Sequence, residues 1–169
     1  MCIIIDTNTL ALVFDKTTTG HDEFKPVFDW IFNDKGKVVY GGTKYKYELK
    51  KYLSFFNELR RANKAVYIDD EKVDGAELTA SKMIEDKDFD DQHIVGLLIV
   101  SKCKLICSHD KRAYPFFKHD LFFTPANKKP KIYSGKRNHD LLADRNIAEI
   151  CQPCLLPNTS QKKILSKFN

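Results

Sequence analysis

Three acidic residues occur where a folded sheet would bring carboxylates together. Asp6 follows the apolar residues 3–5, and Asp110 comes shortly after the apolar stretch 105–107. Asp91 begins the apolar segment that precedes this second stretch. Ligands of open α/β sheets bind outside the carboxyl ends of the strands, so we expect these acids to meet at one edge. Hard cations such as Mg²⁺ take oxygen ligands and keep several waters, so a few carboxylates predict a divalent-metal site.

The elements that must position these acids alternate along the chain. Near-continuous apolar runs predict buried strands, and apolar residues at intervals of three and four predict amphipathic helices. The expected strands are 2–6, 38–40, 65–68 and 104–108, with a further strand open at 121–123, and the expected helices are 8–15, 24–32, 45–63, 74–85 and 94–100. This alternation predicts an α/β fold with a central parallel sheet and helices on both faces.

The acids also come with characteristic neighbours. These are Asp6-Thr7-Asn8 after the first strand, Glu48 in the first turn of the 45–63 helix, Asp91-Gln92-His93-Ile94 before an apolar helix, and Ser108-His109-Asp110 after a strand. This ordered set resembles the pattern of the PIN-domain nucleases over about residues 1–125. The resemblance implies a PIN-like, three-layer α/β/α nuclease domain over 1–125, with a basic C-terminal extension, 126–169, packed on or flanking it.

The resemblance further implies a chemistry. A member of this family would be a metal-dependent endoribonuclease that uses Mg²⁺ or Mn²⁺ and leaves a 5′-phosphate and a 3′-hydroxyl. Its usual biological setting would be that of a toxin or defence effector. The catalytic and metal-binding residues would be Asp6, Glu48, Asp91 and Asp110, and the groups that orient these carboxylates would be Thr7, Asn8 and Ser108.

Several features leave other interpretations open. Many family members place a further acid two residues after the last Asp, where this chain has Arg112. A non-catalytic PIN-like scaffold that binds RNA or protein, and a structure-selective DNA nuclease, are the alternatives. Glu48 at a helix start would suit the helix dipole, and Asp91 competes with neighbouring acids to cap its helix. His93 is expected to point away from the carboxylates.

The charge distribution favours a polyanionic partner. The net charge is +5, but residues 69–91 hold ten acids and three lysines and so carry −7, which leaves +12 on the remainder. A basic surface around an acidic pocket suits a nucleic acid and a metal ion. The residues expected to contact nucleic acid are Lys128, Lys129, Lys131, Tyr133, Lys136 and Arg137. An ordinary polar extension is the alternative for this segment.

Composition sets the remaining expectations. With 169 residues, 43% hydrophobic and 30% charged, the chain is typical of one globular domain. No apolar run approaches the length of a membrane helix, and a cytoplasmic location is expected. Five cysteines are an odd number and do not predict a disulfide framework, and their spacing matches zinc sites poorly. RNA is the expected substrate, with an antitoxin or other regulatory protein, or a second copy in a homodimer, as open partners.

Overall fold

The computed structural model describes residues 2–168 and contains one five-stranded, all-parallel sheet in the order β3-β2-β1-β4-β5. The strands are Cys2–Ile5 (β1), Lys37–Gly41 (β2), Ala65–Ile68 (β3), Leu105–Cys107 (β4) and Lys131–Tyr133 (β5). The helices are Leu10–Phe14 (α1), His21–Asn33 (α2), Thr43–Leu49 (α3), Tyr52–Arg61 (α4), Asp70–Met83 (α5), Gln92–Ser101 (α6), Tyr114–Phe117 (α7) and Thr159–Leu165 (α8). Helices flank the sheet, which confirms the predicted three-layer α/β/α architecture.

The central strand sets the position of the acidic edge. β1 lies between β2 and β4, and all four of its residues are buried, as near-continuously apolar central strands require. Ile5 is in register with Cys107, and the Asp6 N–H continues this ladder by donating to the Cys107 carbonyl at 2.9 Å. Because the strands are parallel, the residues after β1 and β4 therefore emerge side by side.

The most extensive contact between two helices joins α5 and α6. Residues of α6 are buried on nearly every side, as expected for a helix that packs against both a sheet and another helix. A Cβ atom added to Gly96 would lie 2.8 Å from the Glu77 amide nitrogen and 2.9 Å from the Val73 carbonyl oxygen. Gly96 therefore lets the two helix backbones approach closely.

Two predicted elements differ from the structure, and one strand was not predicted. The helix expected over 45–63 is two helices, because the chain breaks at Lys50 with φ of 48° and ψ of −118°. Residues 121–123 form no strand. The fifth strand, Lys131–Tyr133, instead comes from the basic extension and pairs with β4. The boundary drawn at residue 125 therefore divides a single sheet.

One expectation about the cysteines is wrong. Cys2 and Cys151 are joined by a disulfide bond across a sequence separation of 149 residues. The odd count obscured this pair, because Cys103, Cys107 and Cys154 are free. The bond ties the start of β1 to the C-terminal extension. Among residues 2–168, no helix is long and apolar enough to cross a membrane.

Candidate functional site

Asp6 is a fully buried carboxylate held by two hydrogen bonds. Its Oδ2 accepts from the Ser108 hydroxyl at 2.7 Å, and its Oδ1 accepts from the backbone N–H of Asn8 at 3.0 Å, a contact that does not involve the Asn8 side chain. Burial raises the pKa of Asp6, although both hydrogen bonds act in the opposite direction. The side chains after β1 and β4 are thus joined at the carboxyl edge of the sheet, and Ser108 orients Asp6 as predicted.

Asp91 is a largely buried residue whose carboxylate reaches solvent and has no partner among residues 2–168. It occupies the N-cap position of α6, but its side chain makes no capping hydrogen bond, so the expectation that an acid caps this helix through its carboxylate is wrong. Within residues 2–168 it forms no salt bridge either. Burial first, and the like charge of Asp6 second, raise the pKa of Asp91 to about 6. Burial is the main cause of both raised pKa values, and the nearby His109 and His93 offset it only in part.

Glu48 lies in the last turn of α3, not in the first turn of a long helix. The dipole of α3 therefore disfavours a carboxylate there, and the dipole explanation is wrong. Its Oε2 accepts a 2.8 Å hydrogen bond from the Thr7 hydroxyl. His93 Nε2 lies 3.1 Å from the same oxygen, without a well-directed hydrogen bond. The neighbouring His93 lowers the pKa of Glu48, so the expectation that His93 points away from the acids is wrong.

Asp110 forms a salt bridge with Arg112. Arg112 places Nη2 2.8 Å from Oδ2 and Nε 3.2 Å from Oδ1 of Asp110. This guanidinium lowers the pKa of Asp110. Like charge still couples Asp110 weakly to Asp6. The fourth predicted acid therefore lies at the same sheet edge but is already neutralised by Arg112.

Glu77 is an acid near the site that the sequence pattern did not identify. Burial raises its pKa, and Glu48 contributes like charge while His93 and Lys44 act in the opposite direction. Glu77 reaches this region because α5 packs closely on α6 at Gly96. Nothing local in the sequence signals this contact, which depends on tertiary packing.

The residues predicted to contact nucleic acid divide between two edges of the sheet. Lys136 and Arg137 follow β5 and are exposed on the same edge as the acids. The lysines at 128, 129 and 131 precede or begin β5 and lie at the opposite, amino edge. Tyr133 is fully buried, and its hydroxyl donates to the Glu23 carbonyl. The prediction that Tyr133 contacts nucleic acid is therefore wrong.

The donor chemistry of the site fits a hard cation in part. Asp6, Glu48 and Asp91 supply carboxylate oxygens. Burial raises the pKa values of the two aspartates, and a bound cation would oppose that effect. Asp110 fits less well because Arg112 engages both of its oxygens. Among residues 2–168, no three His, Cys, Asp or Glu side chains form a ready metal-binding group.

Comparison of the chain with models of protein families, with curated proteins and with solved structures finds no match. The function is therefore inferred from the residues at this edge. Three carboxylates, two of them buried, with a histidine and hydroxyl donors around them, can neutralise and orient a cation. The Ser108 hydroxyl beside Asp6 is fully buried, so a substrate cannot reach it as a nucleophile.

Proposed function

We propose that this chain is a metal-dependent endoribonuclease in which Asp6, Glu48 and Asp91 hold Mg²⁺ or Mn²⁺. The observation that carries the proposal is Asp91, a largely buried acid beside Asp6 with no hydrogen bond or salt bridge from residues 2–168. Buried charges in proteins are normally paired or coordinate metals. A largely buried, unpaired acid next to a fully buried one is thus the arrangement that a cation would stabilise.

Each residue has a separate role in this proposal. A bound cation supplies an activated water and stabilises the charge that develops on the leaving phosphodiester oxygen. Ser108 and Asn8 hold the Asp6 carboxylate in one orientation through its two oxygens. Thr7 fixes the Glu48 carboxylate in the same way. Such outer hydrogen bonds keep carboxylates in position when no metal is bound.

The Asp110–Arg112 pair favours a second candidate, a non-catalytic nucleic-acid-binding protein of the same fold. A guanidinium that engages both oxygens of one acid leaves fewer carboxylates for a cation. In that case Arg112, which is 82% exposed, would contact a phosphate directly. Cleavage and binding must therefore be measured separately.

The test compares cleavage of end-labelled single-stranded RNA and DNA of one sequence, in Mn²⁺ and in EDTA. The wild-type chain should cleave RNA only with the metal, and Asp6→Asn and Asp91→Asn should slow cleavage by orders of magnitude. Asp88→Asn is the control, since Asp88 is exposed. Wild-type rates in both site variants would refute the proposal. Cleavage of DNA alone would make the protein a DNA nuclease, and binding without cleavage would support the second candidate.

A further inference from the structure

A cleft of about 630 Å³ opens directly beside the acids. It lies between the turn that follows β1 and the junction of α3 with α4. One wall carries acid-site residues and the other is basic and aromatic; together they include Thr7, Asn8, Glu48, Lys50, Lys51 and Tyr52. The sequence pattern assigned none of the last three residues to a site.

The two lysines of this cleft have free ammonium groups. Both residues are exposed, and neither forms a salt bridge with any residue between 2 and 168. Lys51 Nζ rests 5.3 Å from the centre of the Tyr52 ring, a cation–π contact that a phosphate can replace. Two exposed cations next to Glu48 would hold an anionic chain against the repulsion of that carboxylate.

The backbone at Lys50 is strained. Its φ of 48° with ψ of −118° lies outside the regions that L-residues favour. Glycine would occupy this conformation at lower cost. Strained residues of this kind cluster at binding and catalytic sites, where the surroundings hold them in place. Lysine rather than glycine at this position therefore lowers the stability of the folded chain.

Tyr52 supplies an aromatic surface within the cleft. Its side chain is half-buried and lines the cleft together with Lys50 and Lys51. The Lys51 ammonium group that lies over the Tyr52 ring would leave it on binding a phosphate, which frees that face of the ring. A tyrosine beside lysines is the combination on which unpaired bases stack in single-strand-binding proteins.

We propose that this cleft binds an unpaired segment of nucleic acid, with Lys50 and Lys51 on its phosphates and Tyr52 stacked on a base. The inference rests on the proposed function, because the cleft would lead a phosphodiester to Asp6 and Glu48. Since a stacked base must be free of its partner strand, the cleft selects single strands over duplex.

Binding is measured in EDTA by fluorescence anisotropy of a labelled 12-nucleotide RNA, its DNA counterpart and the corresponding duplex. Lys50→Ala/Lys51→Ala should weaken single-strand binding on the order of tenfold and reduce the salt slope by about 1.4, since each phosphate contact on a single strand contributes about 0.7. Lys128→Ala/Lys131→Ala removes the same charge at the opposite edge and should have little effect. Equal losses in both variants, or no loss in the first, would overturn the proposal, as would duplex binding as tight as single-strand binding.

Two further pairs of variants test the aromatic ring of the cleft and the backbone at Lys50. Tyr52→Phe should retain binding and Tyr52→Ala should lose about tenfold; equal affinity of the two would remove Tyr52 from the site. Lys50→Gly should raise the melting temperature yet weaken binding. Lys102 has a similar positive φ of 53° after α6. Lys102→Gly should therefore also raise the melting temperature, but without affecting binding. Unchanged binding in Lys50→Gly would contradict the role of Lys50. Binding is measured in EDTA, which removes any cation, so a loss of binding in the cleft variants does not depend on the metal site. Failure of the cleft proposal is therefore distinguishable from failure of the proposed nuclease activity, which is measured as cleavage in the acid variants.

Discussion

His93 Nε2 lies 3.1 Å from Glu48 Oε2, with the imidazole almost fully buried and the carboxylate 30% exposed. The contact joins the first turn of α6 to the last turn of α3 and is the main reason that the pKa of Glu48 is lowered. Glu48 is thereby kept ionised at the edge of the site, whereas burial raises the pKa values of Asp6 and Asp91. The site thus combines one carboxylate whose ionised form is stabilised, Glu48, with two whose ionised forms are destabilised, Asp6 and Asp91.

Replacing His93 should raise the pKa of Glu48. We expect His93→Phe, which keeps a buried ring but removes the nitrogen beside Oε2, to shift the Glu48 titration upward. Thr7→Val should shift the pKa of Glu48 in the same direction but by less, because Thr7 contributes less than His93 to the lowered pKa. Carbon-detected NMR titration of the carboxyl groups measures both. A Glu48 titration unchanged in His93→Phe would show that the contact carries no electrostatic weight.

Asp91 should make the metal-free protein less stable as the pH rises. Its pKa in the folded state is raised from 3.8 to about 6, so between these values the folded chain holds a proton that the unfolded chain releases. The free energy of unfolding therefore falls through this window and levels off above about pH 6. At about 1.4 kcal/mol per pKa unit, the loss approaches about 3 kcal/mol.

The measurement is chemical denaturation in EDTA at pH 4 to 7, for the wild type and Asp91→Asn. The asparagine variant should lack most of this decline and be the more stable protein at pH 7. No capping bond is lost, because the Asp91 side chain makes none. Parallel pH profiles for the two proteins would contradict the raised pKa.

Binding of a divalent cation should restore the stability that the metal-free protein loses when Asp91 ionises. Binding to the folded state alone stabilises it by about 2.7 kcal/mol at a hundredfold excess over Kd, and each kcal/mol raises Tm by about 2–4 °C for a chain of this size. We expect Mn²⁺ to raise the Tm of the wild type and of Asp88→Asn, and to raise that of Asp91→Asn much less. Differential scanning fluorimetry with Mn²⁺ and with Ca²⁺ compares these responses. An unaltered wild-type Tm at millimolar Mn²⁺ would argue against the cation site.

The sheet could be predicted from the sequence because its strands are almost purely apolar. Residues 65–68 match β3 in full, and the other three expected strands differ from β1, β2 and β4 by a residue or two at the ends. β5 was missed because Lys131–Tyr133 is short and begins with an exposed lysine. Edge strands of this kind lack the continuous apolar run that marks a central strand.

The acids at the strand ends could be predicted for the same reason, but their partners could not. Asp6 and Ser108 meet because of strand register, which the parallel pattern implies. The positions of His93 and Glu77 depend on how α6 sits between α3 and α5, and the break at Lys50 depends on a backbone conformation that a lysine rarely adopts. Such long-range contacts leave no periodic signal in the sequence.

Gly96 should be indispensable for the packing that places Asp91 and Glu77. A Cβ atom there would fall 2.8 Å from a backbone nitrogen and 2.9 Å from a backbone oxygen of α5, neither of which can move independently. Gly96→Ala should therefore force the helices apart and cost about 1–3 kcal/mol, the range typical of overpacking. Gly75→Ala is the matched control in α5: its Cβ meets nothing within 4 Å, so the change should stabilise the helix by about 0.5–1 kcal/mol. Urea denaturation measures both variants. If Gly96→Ala were as stable as Gly75→Ala, the close approach of the two helices would not hold in solution.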